Sequence, residues 1–320
     1  MHIMEGFLPL EWCIFWALLS APVLVWGFHR LRVLFQEQPE KKLLVAVAGA
    51  FMLVLSSLKL PSIGGSSSHP TGAGVSTVLF GVGVTSILTT IVLMFQAMLL
   101  AHGGITTLGA NIFSMGIAGP FFGILVYRAV MRTQARSSVA VFSAAFTADL
   151  MTYVVTSGQL ALAFPGEGGA FASFQVFMAV FAFTQLPLAI VEGVVTAMFF
   201  SFLGRTRPEL MDGLSLSEGR IGRKASKVLA AVTIVCLIGA VAMVNLGGLQ
   251  GTDDKGGEAV QDLVPDFAPW ANSLLELDDT TEIILFIVQG LIGAVLLVYV
   301  FMRWRRRKAL VEESSDVRDG

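Results

Sequence analysis

The chain opens Met1-His2-Ile3-Met4-Glu5-Gly6-Phe7-Leu8-Pro9. Initiator methionine is generally removed only before a small residue, and His2 is large, so Met1 is expected to stay with its α-amine. An α-amine, the next backbone amide and the His2 imidazole can reach one metal ion together. Three such nitrogens in a plane, plus a fourth, favour Ni(II), Cu(II) or a similar late divalent ion. The plainer alternative is a histidine placed there by accident, so a second ligand has to be found. Histidine is scarce, with four in the chain. His69 stands in the loop Ser66-Ser67-Ser68-His69-Pro70-Thr71-Gly72, and His29 sits beside Arg30 and Arg32 in a basic edge. His102 and Asn111 lie in a glycine-broken apolar block, and Asp149 and Glu192 fall in the middle of apolar runs. Ionisable groups at such positions are costly and point to function. They equally suit a structural role, capping broken helices, which would still hold a metal-binding loop or the N-terminal strand in place.

The elements that must position these residues are membrane helices. Of 320 residues, 55% are apolar and 14% charged, against roughly 25% charged in soluble domains. A net charge of −2 and the lack of a basic run interleaved with aromatics argue against nucleic acid. Cys13 and Cys236 lie in apolar runs without metal spacing and read as small buried hydrophobes.

A span needs ~20 apolar residues. Expected spans cover 8–28, 43–60, 139–164, 171–203 (kinked at Pro187), 228–249 and 282–302. Residues 75–131 are apolar throughout but broken by glycines. Basic residues cluster at 29–42, 128–136, 205–227 and from 303 on, which places these segments in the cytoplasm. The N-terminus and the His69 loop then share the outer side, together with 250–281. Parity demands an odd number of crossings in 75–131, and three passes of about 19 residues fit, with one pass plus a re-entrant hairpin as the alternative. The expectation is an all-α polytopic membrane protein of about seven helices, followed by a two-helix module. Met1-His2 and His69 can meet. No phosphate-binding Gly-x4-Gly-Lys-Ser/Thr loop, GxSxG or HExxH occurs, so uphill transport would need an ATPase on another chain.

Against this background the opening nine residues resemble those of the CbiM/NikM family, the substrate-capture subunits of cobalt and nickel energy-coupling factor (ECF) transporters. Ser68-His69-Pro70-Thr71-Gly72, the stretch from Ala101-His102-Gly103-Gly104 to Ser114-Met115-Gly116, Ala148-Asp149-Leu150, Val154-Val155-Thr156-Ser157 and Gln185 to Gly193 are similar to the same family. Ser67 departs from it, since members often carry Cys there. The remainder resembles the small CbiN subunit, two spans around an outer loop containing Gly251-Thr252-Asp253-Asp254 and Val264-Pro265-Asp266-Phe267-Ala268-Pro269-Trp270, with Glu282 and Gln289 on the second span.

The resemblance implies a CbiM-like, S-component-like bundle over 1–204, a basic cytoplasmic linker over 205–227, a CbiN-like module over 228–304 and a charged cytoplasmic tail over 305–320. It implies one divalent ion held by the Met1 amine, the His2 amide and imidazole, and His69, with His102, Asn111, Asp149 and Glu192 in support. It also implies that loop 250–281 lies over the site. The expected role is ATP-driven import of Co(II) across a prokaryotic cell membrane for cobalamin biosynthesis, with a CbiQ-like coupling protein and CbiO-like ATPases as partners. The ligands suit Ni(II) equally well, and the CbiN-like half favours cobalt. A metal-binding sensor or scaffold without transport, and an ion-coupled transporter acting alone, are the competing classes.

Overall fold

The computed structural model describes residues 2–57, 60–61, 67–206, 208, 252–265, 267–275 and 277–319. Met1, the expected span 228–249 and nearly all of the linker 205–227 lie outside the described residues.

The described chain is almost wholly helical. Helix α1 runs Leu10–Glu37, α2 Lys42–Ser56, α3 Ala73–Leu99, α4 Leu108–Arg132, α5 Ser137–Ala163 and α6 Gly169–Thr206. Two further helices follow, α7 at Thr252–Leu263 and α8 at Asp279–Asp319. The only strands among the described residues are Leu60–Pro61 and Ser67–Ser68, a two-residue antiparallel pair before His69. Among the described residues six stretches are long and apolar enough to cross a membrane: α1, α3, α4, α5, Gln185–Thr206 within α6 and Thr280–Val300 within α8. The protein is therefore a multi-pass membrane protein. Pro22 and Pro187 both lie inside helices, which apolar surroundings tolerate when neighbours re-satisfy the freed backbone carbonyl.

The block expected to make three equal passes is built unequally. At Gly81 the backbone takes φ 72° and ψ −174°, dividing α3 into a short piece, 73–80, and a long one, 82–99. That conformation carries a steric cost for any residue with a Cβ. The first piece starts at the His69 loop and has only eight residues, about 12 Å of helix, so it cannot cross a bilayer by itself. The long piece and α4 each have spanning length. Counting the two parts of α3 separately, the described residues before 207 form seven helices, but α2, with 15 residues, and the first piece of α3 are too short to be the full spans expected of 43–60 and of a third pass in 75–131.

Bundle helices meet through small residues, as they must where hydrophobicity does not favour helix–helix over helix–lipid contact. A Cβ on Gly109 would lie 2.5 Å from Ala17 Cα. The second half joins in the same manner. On α8, a Cβ at Gly293 would lie 2.7 Å from Val54 Cγ2, and one at Gly290 2.6 Å from Ser57 Oγ. Gln289 Nε2 donates to Leu53 O at 2.9 Å and to Ser56 Oγ at 3.0 Å. The outward faces are greasy, with Leu18 and Val25 of α1 and Leu291 and Val295 of α8 all exposed.

This packing leaves no room for a side chain at Gly293. Gly293→Leu is expected to force α8 off α2 at a cost of about 1–3 kcal/mol, seen as a lower thermal midpoint in detergent. An unchanged midpoint would contradict the close approach.

Candidate metal centre

The N-terminal segment is an extended stretch laid into the bundle. Ile3 N donates to Asn111 Oδ1 at 2.8 Å, while Asn111 Nδ2 and Thr107 Oγ1 donate to Ile3 O at 3.0 and 2.6 Å. Asn111 thus reads both sides of one residue's backbone. Two positions on, the Glu5 carboxylate accepts from Ile105 N at 2.6 Å, Thr106 N at 2.9 Å and the Thr106 hydroxyl. These amides lie just before the first residue of α4, where the helix dipole and unpaired N–H groups favour an anion. Gly6 N donates to Thr106 Oγ1 at 3.1 Å. From the other half of the chain, Trp270 N donates to Gly6 O at 3.2 Å and Trp270 Nε1 to Leu8 O at 2.6 Å. Phe267 packs on Phe7 and Phe164.

The result is a buried His2, only 2% exposed, with neither ring nitrogen hydrogen-bonded among the described residues. Burial first, then the neighbouring His102 and His69, hold its pKa well below the ordinary histidine value. The folded state therefore disfavours the imidazolium form of His2. Docking of the strand keeps its full stability above the ordinary histidine pKa and loses it as the pH falls below that value, because the released strand takes up a proton that the docked one refuses.

His69 is delivered by the loop before α3, and two carboxylates from distant helices hold that loop. Glu192 of α6 accepts from Thr71 Oγ1 at 2.9 Å, Gly72 N at 3.0 Å and Gly74 N at 3.1 Å, capping the start of α3. Asp149 of α5 accepts from Thr71 N at 3.2 Å, and Tyr153 OH donates to His69 O at 3.2 Å. Both carboxylates are fully buried. Glu192 uses both of its oxygens in this way, as a buried polar group must, while Asp149 Oδ2 has no hydrogen bond among the described residues.

His102 arrives from the end of α3. Ala101 has φ 50° and Gly103 φ 76°, a reversal that turns the ring back into the bundle. Gly103 is needed there twice over, since a Cβ would also lie 3.1 Å from His2 Cβ. The three rings form a triangle with centroids 5.1 Å apart for His2–His69, 4.7 Å for His2–His102 and 5.1 Å for His69–His102. One nitrogen from each lies within 4.8 Å of the others. His69 Nε2 and His102 Nε2 are 3.0 Å apart. Phe286 of α8 packs edge-on against His102 at 5.1 Å. Three converging, buried imidazoles offer a nitrogen donor set that a late divalent metal ion can use.

Of the residues singled out in the sequence, His2 and His69 come together, and His102 stands in the cluster itself. Asn111 holds the strand, while Asp149 and Glu192 hold the loop. Glu5, Thr106, Thr107, Tyr153 and Trp270 were not assigned a part from the sequence. An acid at position five of an otherwise apolar start was the one available signal. Removing Asn111 leaves Ile3 N unpaired in the interior. Asn111→Ala is expected to cost about 1–3 kcal/mol, seen as a lower thermal midpoint in detergent. An unchanged midpoint would show that the N-terminal segment is held without it.

Comparison with known proteins now bears on the geometry. Residues 2–210 match the family described as CbiM, cobalt uptake substrate-specific transmembrane region, and residues 223–314 match CbiN, cobalt transport protein component CbiN. The cobalt transport protein CbiM of Chlorobium limicola is 59% identical over 222 residues, covering 68% of this chain and 87% of that protein. That of Desulforamulus reducens is 52% identical over 219 residues, covering 68% and 87%. A chain named as a fused cobalt transport protein CbiMQ, from Methanocorpusculum labreanum, is 45% identical across 97% of this chain and 55% of its own length. A crystal structure of a transition metal transporter superposes with a TM-score of 0.55 at 26% identity, covering 64% of this chain and 93% of that one. A truncated transition metal transporter gives 0.53 at 27% identity, covering 64% and 99%. The chain belongs to the CbiM family of cobalt-uptake membrane components and carries a CbiN region fused behind it.

Proposed function

We propose that the chain is the metal-capturing subunit of an ATP-driven ECF-type importer of Co(II). The observation that carries this reading is His2, a buried neutral imidazole with two unpartnered nitrogens facing two further buried histidines. A buried polar group without a hydrogen bond is rare and calls for an explanation, and a metal ion supplies one. The ligands are His2 and His69, with the α-amine of Met1 and the His2 amide completing a nitrogen set. His102 is close enough to join them. Two nitrogens bound at about 2.0–2.1 Å and at right angles lie about 2.9 Å apart, which is near the 3.0 Å between His69 Nε2 and His102 Nε2. Cobalt is the metal named in the relatives and in both matching families.

The rest of the reading concerns energy and direction. The basic segments place the N-terminus and the capture site at the outer face and the C-terminus in the cytoplasm. The chain itself has no nucleotide-binding loop, so CbiO-like ATPases supply the energy through a CbiQ-like coupling protein. The fused CbiMQ relative supports the coupling partner. The linker over 205–227 then joins two membrane modules on the cytoplasmic side.

His2→Ala and His69→Ala are each expected to lower cobalt affinity more than about 100-fold, beyond what loss of an orienting partner costs. One residue added before Met1 is expected to be as harmful, because it displaces the amine. Near-normal binding by any of the three would remove that ligand from the set. Uptake of radiolabelled cobalt by cells is expected to vanish without the ATPase partners, and uptake undiminished by their loss would overturn the ECF assignment.

A further inference from the structure

Glu282 stands at the edge of the histidine cluster although it comes from the CbiN-like half. Its Oε1 lies 4.0 Å from His102 Nδ1. Asp278, just before α8, accepts from Thr281 N at 3.3 Å and Thr281 Oγ1 at 2.5 Å, which fixes the helix start. One turn on from Glu282, Phe286 packs on His102, and Gln289 ties the helix to α2.

The hydrogens on the rings follow from their partners. His69 Nδ1 faces Pro70 O at 2.9 Å. A carbonyl only accepts, so Nδ1 carries the hydrogen and Nε2 of the neutral ring carries a lone pair. His102 Nε2 lies 3.0 Å from that lone pair. That spacing fits a hydrogen on His102 Nε2 donated to a neutral His69. A nitrogen that bears hydrogen cannot ligate. For His102 to bind metal through Nε2, the hydrogen must sit on Nδ1 instead, and Nδ1 is the atom beside Glu282.

We propose that Glu282 is a positioning residue for metal capture, whose carboxylate accepts the Nδ1–H of His102 and so favours the tautomer with its Nε2 lone pair towards the ion. The inference rests on the reading of the three histidines as a metal centre. In the exchange one proton leaves Nε2 to water and one reaches Nδ1 from water. The ring stays neutral, no electron moves, and the His102–His69 hydrogen bond gives way to two metal–nitrogen bonds. The carboxylate closes by about 1 Å to reach hydrogen-bonding distance, giving the carboxylate–histidine–metal arrangement that orients metal ligands generally. The CbiN-like half then supplies a working part of the site as well as a cover for it.

The test is a Co(II) titration of the full chain in detergent, followed by its visible ligand-field absorption. Glu282→Ala is expected to weaken binding about 10–100-fold and to shift the bands in the same direction as His102→Ala. Glu282→Asp is expected to restore part of the affinity. Glu282→Gln preserves side-chain volume and carries the test should the alanine variant misfold; it is expected to bind more weakly than the parent. In a His102→Ala background, changing Glu282 is expected to have no further effect. Parent-like affinity and spectrum in the Glu282 variants, or an equal loss with and without His102, would overturn the proposal. Failure of the histidine reading looks different, since His2→Ala and His69→Ala would then bind cobalt normally.

Discussion

Carboxylates placed on backbone amides hold the site together. Glu192 sits at the start of α3 and accepts backbone N–H groups that the helix itself cannot pair, while Glu5 accepts the amides of Ile105 and Thr106 in the turn that leads into α4. In both cases the acid is remote in sequence from the amides it binds. Each bond therefore closes a long loop of chain and fixes one histidine-bearing segment, the N-terminal segment for Glu5 and the His69 loop for Glu192. The apolar surroundings strengthen these charge–dipole contacts and make their loss expensive. Asn111, Thr107, Asp149 and Tyr153 complete the frame with directed hydrogen bonds to the backbone on either side of the histidines.

Much of this was legible in the sequence, because bilayer thickness sets helix length and hydropathy reports it directly. The spans ending at basic residues, the hairpin of α5 and α6 around Gly166, and the pairing of His2 with His69 all follow from that rule and from charge placement. Gly81 was not legible. One glycine among many in an apolar block gives no sign that it alone breaks a helix. His102 was placed in a supporting role for a similar reason. Its ring reaches the cluster only because Ala101 and Gly103 take positive φ, and backbone reversals of that kind are settled by tertiary packing.

The capping acids show a different limit. Glu192 was visible as a costly charge in a span, and of the alternatives considered for it, function or helix capping, its hydrogen bonds show the capping. Glu5 was visible only as an oddity, since its partners are main-chain groups at 105 and 106 that no side-chain pattern reveals. Residues that recognise backbone leave little trace in the identity of what they recognise.

Trp270 lies in the CbiN-like half, yet it donates to the carbonyls of Gly6 and Leu8 on the very strand that carries His2. Linkage makes that clasp reciprocal. Whatever free energy the clasp lends to an ordered strand, and hence to an occupied site, an occupied site must return to the clasp. A single-chain arrangement keeps the clasp at high effective concentration and spares it the entropy of association. Order in the segment that carries His2 is thereby linked to the grip between the two halves of the molecule.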